Sequence, residues 1–118
     1  GLVSTEEMVG KIKAAVDTRK DKDLVIIART DAPFAEAIER ANAYMEAGAD
    51  MVKIIPKTRE ELEKLPPLVK GPIHLGLYAN KGINDGMTAA DCGKLGYKII
   101  TYPVSCLFAQ TAALLAFL

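Results

Sequence analysis

Polar and apolar positions repeat along the chain in a helix-then-strand rhythm. Ser4-Thr5-Glu6-Glu7 reads as a capping box, and Met8, Ile12 and Val16 follow at helical spacing before a basic last turn, Arg19 and Lys20. After Asp21-Lys22-Asp23 comes Leu24-Val25-Ile26-Ile27-Ala28, a short unbroken apolar run rich in β-branched residues. Continuous apolarity without alternation predicts a strand covered on both faces, as in a parallel sheet. Pro33 suits a first helical position, and Phe34, Ile38, Ala41 and Met45 define one face of a helix that Gly48 ends. Met51 to Ile55 is the next strand. Thr58 with Glu61 forms a second capping box, on a helix stopped by Pro66-Pro67.

Gly71-Pro72 introduces a third apolar run, Ile73 to Tyr78, and a polar, Gly-containing loop from Ala79 to Met87 leads to a helix capped by Thr88 and ended near Gly96. Tyr97 to Tyr102 is the fourth strand, and Ser105 is placed to cap a last helix. Strands follow one another at intervals of roughly 20 to 30 residues, as βα units do. Right-handed crossovers make all four strands parallel. Four strands cannot close an eight-stranded barrel, so the pattern leaves two forms: a small open sheet with helices on both faces, or half of a barrel. No linker or low-complexity tract interrupts residues 1–118, which read as a single unit.

Composition removes function classes more than it adds them. Half of the 118 residues are hydrophobic and a quarter charged, as in globular domains. Fifteen basic residues balance fifteen acidic ones, so no overall charge favours nucleic acid or an anionic membrane. Cys92 and Cys106 lack metal-ligand spacing, and the chain has a single histidine to join them, which argues against a structural metal. Reduced thiols in a cytoplasmic protein are the simplest expectation. The start lacks the basic and apolar segments of a signal peptide, and no run reaches the ~20 apolar residues of a bilayer span.

The two ends read as cut: Gly1 stands where an initiator methionine is absent, and Leu118 closes an apolar segment without a cap. No charged residue follows Lys98, and the last helix is apolar on nearly every side. Such a helix is expected either to be buried in its own core or to dock on a partner.

In parallel α/β folds, reactive residues gather at the C-terminal ends of strands. Those ends carry Arg29-Thr30-Asp31, Lys53 to Lys57, Tyr78 to Asn80, and Tyr102-Pro103. The Arg29 guanidinium suits a carboxylate or phosphoryl group and can stabilise a developing enolate. It can equally pair with Asp31 to hold the turn while Asp31 caps the next helix. Lys53 is either an anion binder facing the site or a lysine snorkelling along an edge. His74, alone in its strand, reads as a packed or edge residue, and both cysteines as small packing residues. The 79–87 loop, with Asn80, Lys81 and Asn84, is a candidate substrate-contacting loop.

Met8 to Val16, Val25-Ile26-Ile27-Ala28-Arg29-Thr30-Asp31-Ala32, Ala37 to Ala41 with Glu46 to Asp50, and Leu95-Gly96-Tyr97-Lys98-Ile99-Ile100 with Tyr102-Pro103 together resemble the isocitrate lyase and phosphoenolpyruvate mutase superfamily. The resemblance spans nearly the whole chain. It implies the fold of a (β/α) half-barrel, with an N-terminal helix followed by four βα units, as the second half of a TIM-type barrel. It also implies magnesium-assisted chemistry through an enolate or enolpyruvate-like species, on a small 2-hydroxy or 2-oxo carboxylate or a phosphonate. Arg29 matches the family arginine that contacts substrate and is the catalytic candidate; Asp31, Asn80 and Tyr102 join it as substrate-binding candidates. The magnesium ligands and the lid cysteine segment of the family belong to the first half of the barrel, so no metal ligand is expected here. In lyase relatives a glutamate often ends the strand corresponding to Met51–Ile55, and an asparagine the next, where this chain has Ile55-Pro56-Lys57 and Gly76-Leu77-Tyr78. Members commonly exchange C-terminal helices between subunits. The expected partners are therefore the missing N-terminal half-barrel or another copy of the chain. The alternative is a non-catalytic module that homo-oligomerises through its sheet edges and apolar helix.

Overall fold

A computed structural model of the chain describes residues 1–77 and 86–118. Helix α1 (Thr5–Thr18) leads into β1 (Ile27–Thr30), α2 (Phe34–Glu46) and β2 (Met51–Ile54). Helix α3 (Arg59–Lys64) continues into a single 3-10 turn (Pro66–Leu68), then β3 (Ile73–Gly76), α4 (Ala89–Leu95), β4 (Ile99–Thr101) and α5 (Ser105–Phe117). The four strands are parallel, in the spatial order β1-β2-β3-β4.

That order decides between the two forms left open by the sequence. A doubly wound sheet reverses its strand order at a switch point, which sends helices to both faces; a barrel arc adds each strand beside the last, and right-handed crossovers keep every helix on one face. Burial agrees with the second case. Ala28, Val52, Ile54, Ile73 and Leu75 lie on the face toward the helices and are all at most 2% exposed. On the opposite face Ile27 and Ile99 remain 40% and 39% exposed, although Met51 beside Ile27 is covered. The fold is a half-barrel arc with a helix-covered outer face and an open inner face.

Continuous apolarity therefore misleads at β1. The expected strand, Leu24 to Ala28, begins three residues too early, and Leu24 and Val25 are exposed. Within β1 the burial alternates, because helices cover one side only. In α2 the expected face of Phe34, Ile38, Ala41 and Met45 does pack on the core, but the fully buried residues are Ala37, Ala41 and Tyr44, so the helix is turned partway toward its small residues and comes close to the sheet.

Helix ends follow local chemistry with some departures. Ser4 Oγ accepts from the Glu7 N–H at 3.1 Å, but the Glu7 carboxylate goes forward to Lys11 Nζ at 2.7 Å, leaving half of the expected box. Thr58 Oγ1 accepts from the Glu61 N–H, while Glu61 reaches back one residue too far, to the Lys57 N–H. Thr88 and Asp91 make the complete reciprocal box. Pro33 precedes α2 as its cap residue, and Ser105 is the first residue inside α5, where Val104 stands at the cap. Gly48 and Gly96 end their helices at φ of +103° and +115°, a region costly for any side chain.

Arg19 lies just beyond α1 and does not form a basic last turn. Its guanidinium donates to the Leu24 carbonyl and to Asp50, which also accepts from the Ile26 N–H at 2.9 Å. This cluster ties the entry of β1 to that of β2 at the N-terminal end of the sheet. Helix α5 contributes no buried residue, and Leu107, Phe108, Leu114 and Leu115 each expose more than half of their surface. Of its two expected placements, burial in the chain's own core is not adopted.

Candidate functional site

Parallel register places equivalent residues of successive βα units side by side on the open face. Arg29 of β1 pairs with Lys53 of β2, Lys53 with His74 of β3, and His74 with Ile99 of β4. Adjacent strands lie ~4.8 Å apart, so Arg29, Lys53 and His74 occupy consecutive strands within roughly 10 Å of backbone. One step toward the C-terminal ends, Gly76 is paired with Thr101. With Asp31 just beyond β1, the row forms a polar strip across an otherwise apolar arc.

Arg29 is held by its near neighbour. Its Nε and Nη2 donate to Asp31 Oδ1 and Oδ2 at 2.8 and 3.0 Å, a bidentate pair that fixes the plane of the guanidinium. Both side chains are about half exposed, so the pair adds less than ~1 kcal/mol to stability and serves orientation more than folding. The Arg29 hydrogen bonds hold the Asp31 carboxyl below its usual range, and the Arg29, Lys53 and Lys57 charges add to this against a burial effect of opposite sign. The expectation that Asp31 caps α2 fails, because Pro33 holds that place. Next to the pair, a cleft of about 240 Å³ is lined by Leu2, Val3, Met8, Thr30 and Tyr44, with Arg40 at its wall. Arg40 is itself spanned between the Val3 carbonyl and Glu36, which closes that side of the cleft with satisfied groups.

Lys53 stands on an interior strand, so the edge-snorkelling alternative does not apply. It is half-buried, and among the described residues no ion pair or hydrogen bond holds its ammonium. His74 is likewise on an interior strand and half-buried, with Nε2 2.8 Å from Thr101 Oγ1. Burial first, and the Lys53 charge second, push the imidazole below its ordinary value, which favours its neutral form.

Among the candidates from sequence, Arg29 and Asp31 come together. Tyr102 is exposed and follows β4 at the opposite sheet edge, three strand spacings or roughly 14 Å from β1. Asn80 and the rest of 78–85 lie outside the described residues. Lys53 and His74 are separate candidates in the sequence, and Thr101 carries no sequence signal that joins it to the site. Spacing offers a partial signal, since Arg29, Lys53 and His74 recur at one βα unit each, but strand register is what sets them side by side. Cys92 is buried as expected, whereas Cys106 is exposed on α5 and packs against no core.

The face fits anions and does not fit the magnesium implied by the resemblance. Its carboxylate, Asp31, is already held by Arg29 in the field of two lysines, and among the described residues no three His, Cys, Asp or Glu side chains converge as metal ligands. Among the described residues, no helix is long and apolar enough to cross a membrane.

Comparison with known proteins places this geometry in context. The family model described as Phosphoenolpyruvate phosphomutase matches residues 1–118. The chain is 42% identical over 118 residues to 2,3-dimethylmalate lyase of Eubacterium barkeri, covering 96% of this chain and 40% of that protein. It is 40% identical over 119 residues to 2-methylisocitrate lyase of Shewanella oneidensis, covering 97% of this chain and 40% of that protein. The crystal structure of a 2,3-dimethylmalate lyase, described as a PEP mutase/isocitrate lyase superfamily member, superposes with a TM-score of 0.84 at 31% identity. That superposition covers 96% of this chain and 42% of the other. The chain thus spans about two fifths of the length of these relatives.

Proposed function

The chain belongs to the phosphoenolpyruvate phosphomutase family, within the isocitrate lyase and phosphoenolpyruvate mutase superfamily, and on that premise we propose that its open face binds the anionic side of a small 2-hydroxy or 2-oxo carboxylate. The observation that carries this reading is the Arg29 guanidinium, oriented bidentately by Asp31 at the C-terminal end of β1. In carbon–carbon cleavage, the electron pair of the breaking bond passes into an enolate whose oxyanion needs preorganised positive charge. A guanidinium fixed before the reaction meets that need without reorganising. Phosphoryl migration between carbon and oxygen passes through an enolpyruvate-like species with the same demand.

In this reading, the chain contributes Arg29 to a lyase or phosphonomutase site whose magnesium ligands lie elsewhere, on an N-terminal half-barrel, and it does not turn over substrate alone. Calorimetric titration with oxalate, a planar enolate mimic, tests it. The expected result is weak binding, about millimolar and independent of magnesium, that Arg29→Met abolishes. Tight magnesium-dependent binding by this chain alone would refute the incompleteness of the site, and binding indifferent to Arg29→Met would refute the role of Arg29.

A second reading is a homo-oligomeric assembly module, favoured by the uncovered apolar surface of α5 and by sheet edges unpaired among the described residues. Sedimentation equilibrium separates the two. A compact monomer at every concentration counts against assembly, whereas self-association with no oxalate binding favours it.

A further inference from the structure

We propose that Arg40 is a positioning residue for the Arg29–Asp31 pair: it holds residues 1–3 as a wall of the cleft that the pair lines, and so strengthens anion binding at Arg29. The inference rests on the carboxylate-site reading above and deepens it by naming what sets the affinity of that same site.

The clamp joins segments far apart in sequence. Arg40 lies on α2, yet its Nη1 donates at 2.9 Å to the carbonyl of Val3, 37 residues away and ahead of α1. Its Nε donates at 2.7 Å to Glu36 Oε1, one helical turn earlier, which fixes the plane of the guanidinium. The Tyr44 hydroxyl first, and then Glu36, hold its ionisation above the usual arginine range, and Tyr44 itself is buried. Only 11% of the Arg40 side chain is exposed, against 54% for Arg29. Of the two guanidiniums on the cleft, Arg29 is therefore open to a ligand and Arg40 is committed to the chain.

Residues 1–3 depend on that clamp. Ser4 belongs to α1, since its Oγ accepts from the Glu7 N–H and its carbonyl from the Met8 N–H. Ahead of Ser4, among the described residues, no hydrogen bond or ion pair other than Arg40 to Val3 ties the segment down. Leu2 and Val3 are 51% and 37% exposed, so packing alone holds them weakly. Both nevertheless line the cleft of about 240 Å³ with Arg29, Thr30 and Asp31. An apolar wall keeps water from one flank of a half-exposed guanidinium, and a charge contact is stronger where water is excluded. Without the tether the segment frays as free chain ends do, and water reaches Arg29 from that flank.

Nitrogen-15 relaxation of the labelled chain reads the wall through the heteronuclear NOE of the Leu2 and Val3 amides, and oxalate titration of the same samples reads the site. In the unsubstituted chain both amides should be ordered, and more so with saturating oxalate, because coupling between two sites is reciprocal. Arg40→Met should release them to the motion of a free end and lower oxalate affinity roughly fivefold, the low end for coupled sites. Leu2→Gly with Val3→Gly removes the wall but leaves Arg40 and the α1 cap in place. It should lower affinity by the same factor, and adding Arg40→Met to it should then change little. Losses that multiply in the combined variant would show Arg40 acting on the fold alone and overturn the proposal. Equal order of Leu2 and Val3 with and without Arg40 overturns it as well. So does unchanged affinity in the glycine variant, a measurement that does not require Arg40→Met to fold. If oxalate binding is lost in Arg29→Met but unchanged in Arg40→Met, the carboxylate-site reading stands and this inference falls; if Arg29→Met binds like the unsubstituted chain, both fall.

Discussion

Replacing Tyr97 by phenylalanine should destabilise the fold although it removes a single oxygen atom. Tyr97 is 3% exposed, and its hydroxyl donates to the Leu62 carbonyl at 2.7 Å. Leu62 lies in α3, and the residue four positions on, which would normally donate to its carbonyl, is Pro66, which has no N–H. The phenol therefore stands in for a missing helical hydrogen bond. Burial pushes its ionisation upward, so it remains a neutral donor. Phenylalanine keeps the ring and its packing but orphans a buried acceptor, at a cost of about 2 kcal/mol. In a chain of this size each kcal/mol moves Tm by roughly 3 to 6 °C, so the midpoint should fall by roughly 6 to 12 °C. Urea titration and calorimetry of the two proteins measure the difference. A change below about 0.5 kcal/mol, with the slope of the urea transition unaltered, would refute the role given to this hydroxyl.

Further outcomes follow from the same structure. Gly48→Ala should cost about 1 to 3 kcal/mol in urea unfolding, because its φ is +103° and an added Cβ meets Val16 Cγ2 at 3.2 Å. Asp50 is held below its usual carboxylate range, first by the Ile26 N–H and also by Arg19, so it contributes stability above its unfolded value near pH ~3.9 that is lost as pH falls through the lower folded value. Asp50→Asn should accordingly be less stable than the parent at pH 7, and the gap should close as the pH is lowered below 4; a gap independent of pH contradicts the assignment. One thiol per chain, Cys106, should react promptly with a disulfide reagent, while Cys92, buried with its ionisation pushed up by burial, reacts only on unfolding. Slowing of the Cys106 reaction with rising protein concentration would signal that α5 is covered by a second copy.

How much of this was legible in the sequence depends on the range of the interaction. Contacts within a turn could be read: the Arg29–Asp31 pair is two residues apart, and Thr88, Gly48 and Gly96 mark helix ends through their own conformational preferences. The β1 boundary was misplaced because Leu24 and Val25 resemble buried strand residues, yet they stand before the sheet and are exposed. In α2, Ala41 could be read as inward-facing, whereas Ala37 and Tyr44 could not, because neither counts strongly toward an apolar face, although the small alanines are what let the helix approach the sheet. The strip of Arg29, Lys53 and His74 requires the register of three strands separated by whole βα units, which periodicity does not supply. Half-barrel and open sheet share one element string, and strand order distinguishes them.

The central claim is that the open face, at the C-terminal ends of the strands, is the anion-binding side of a family active site. Amide chemical-shift mapping of the isotopically labelled chain during oxalate titration tests it in space. Shifts should concentrate at Arg29, Thr30, Asp31 and Lys53 and be absent in Arg29→Met. Shifts centred on α5 or around Arg19 and Asp50 at the opposite end of the sheet, or no shifts at all, would contradict it.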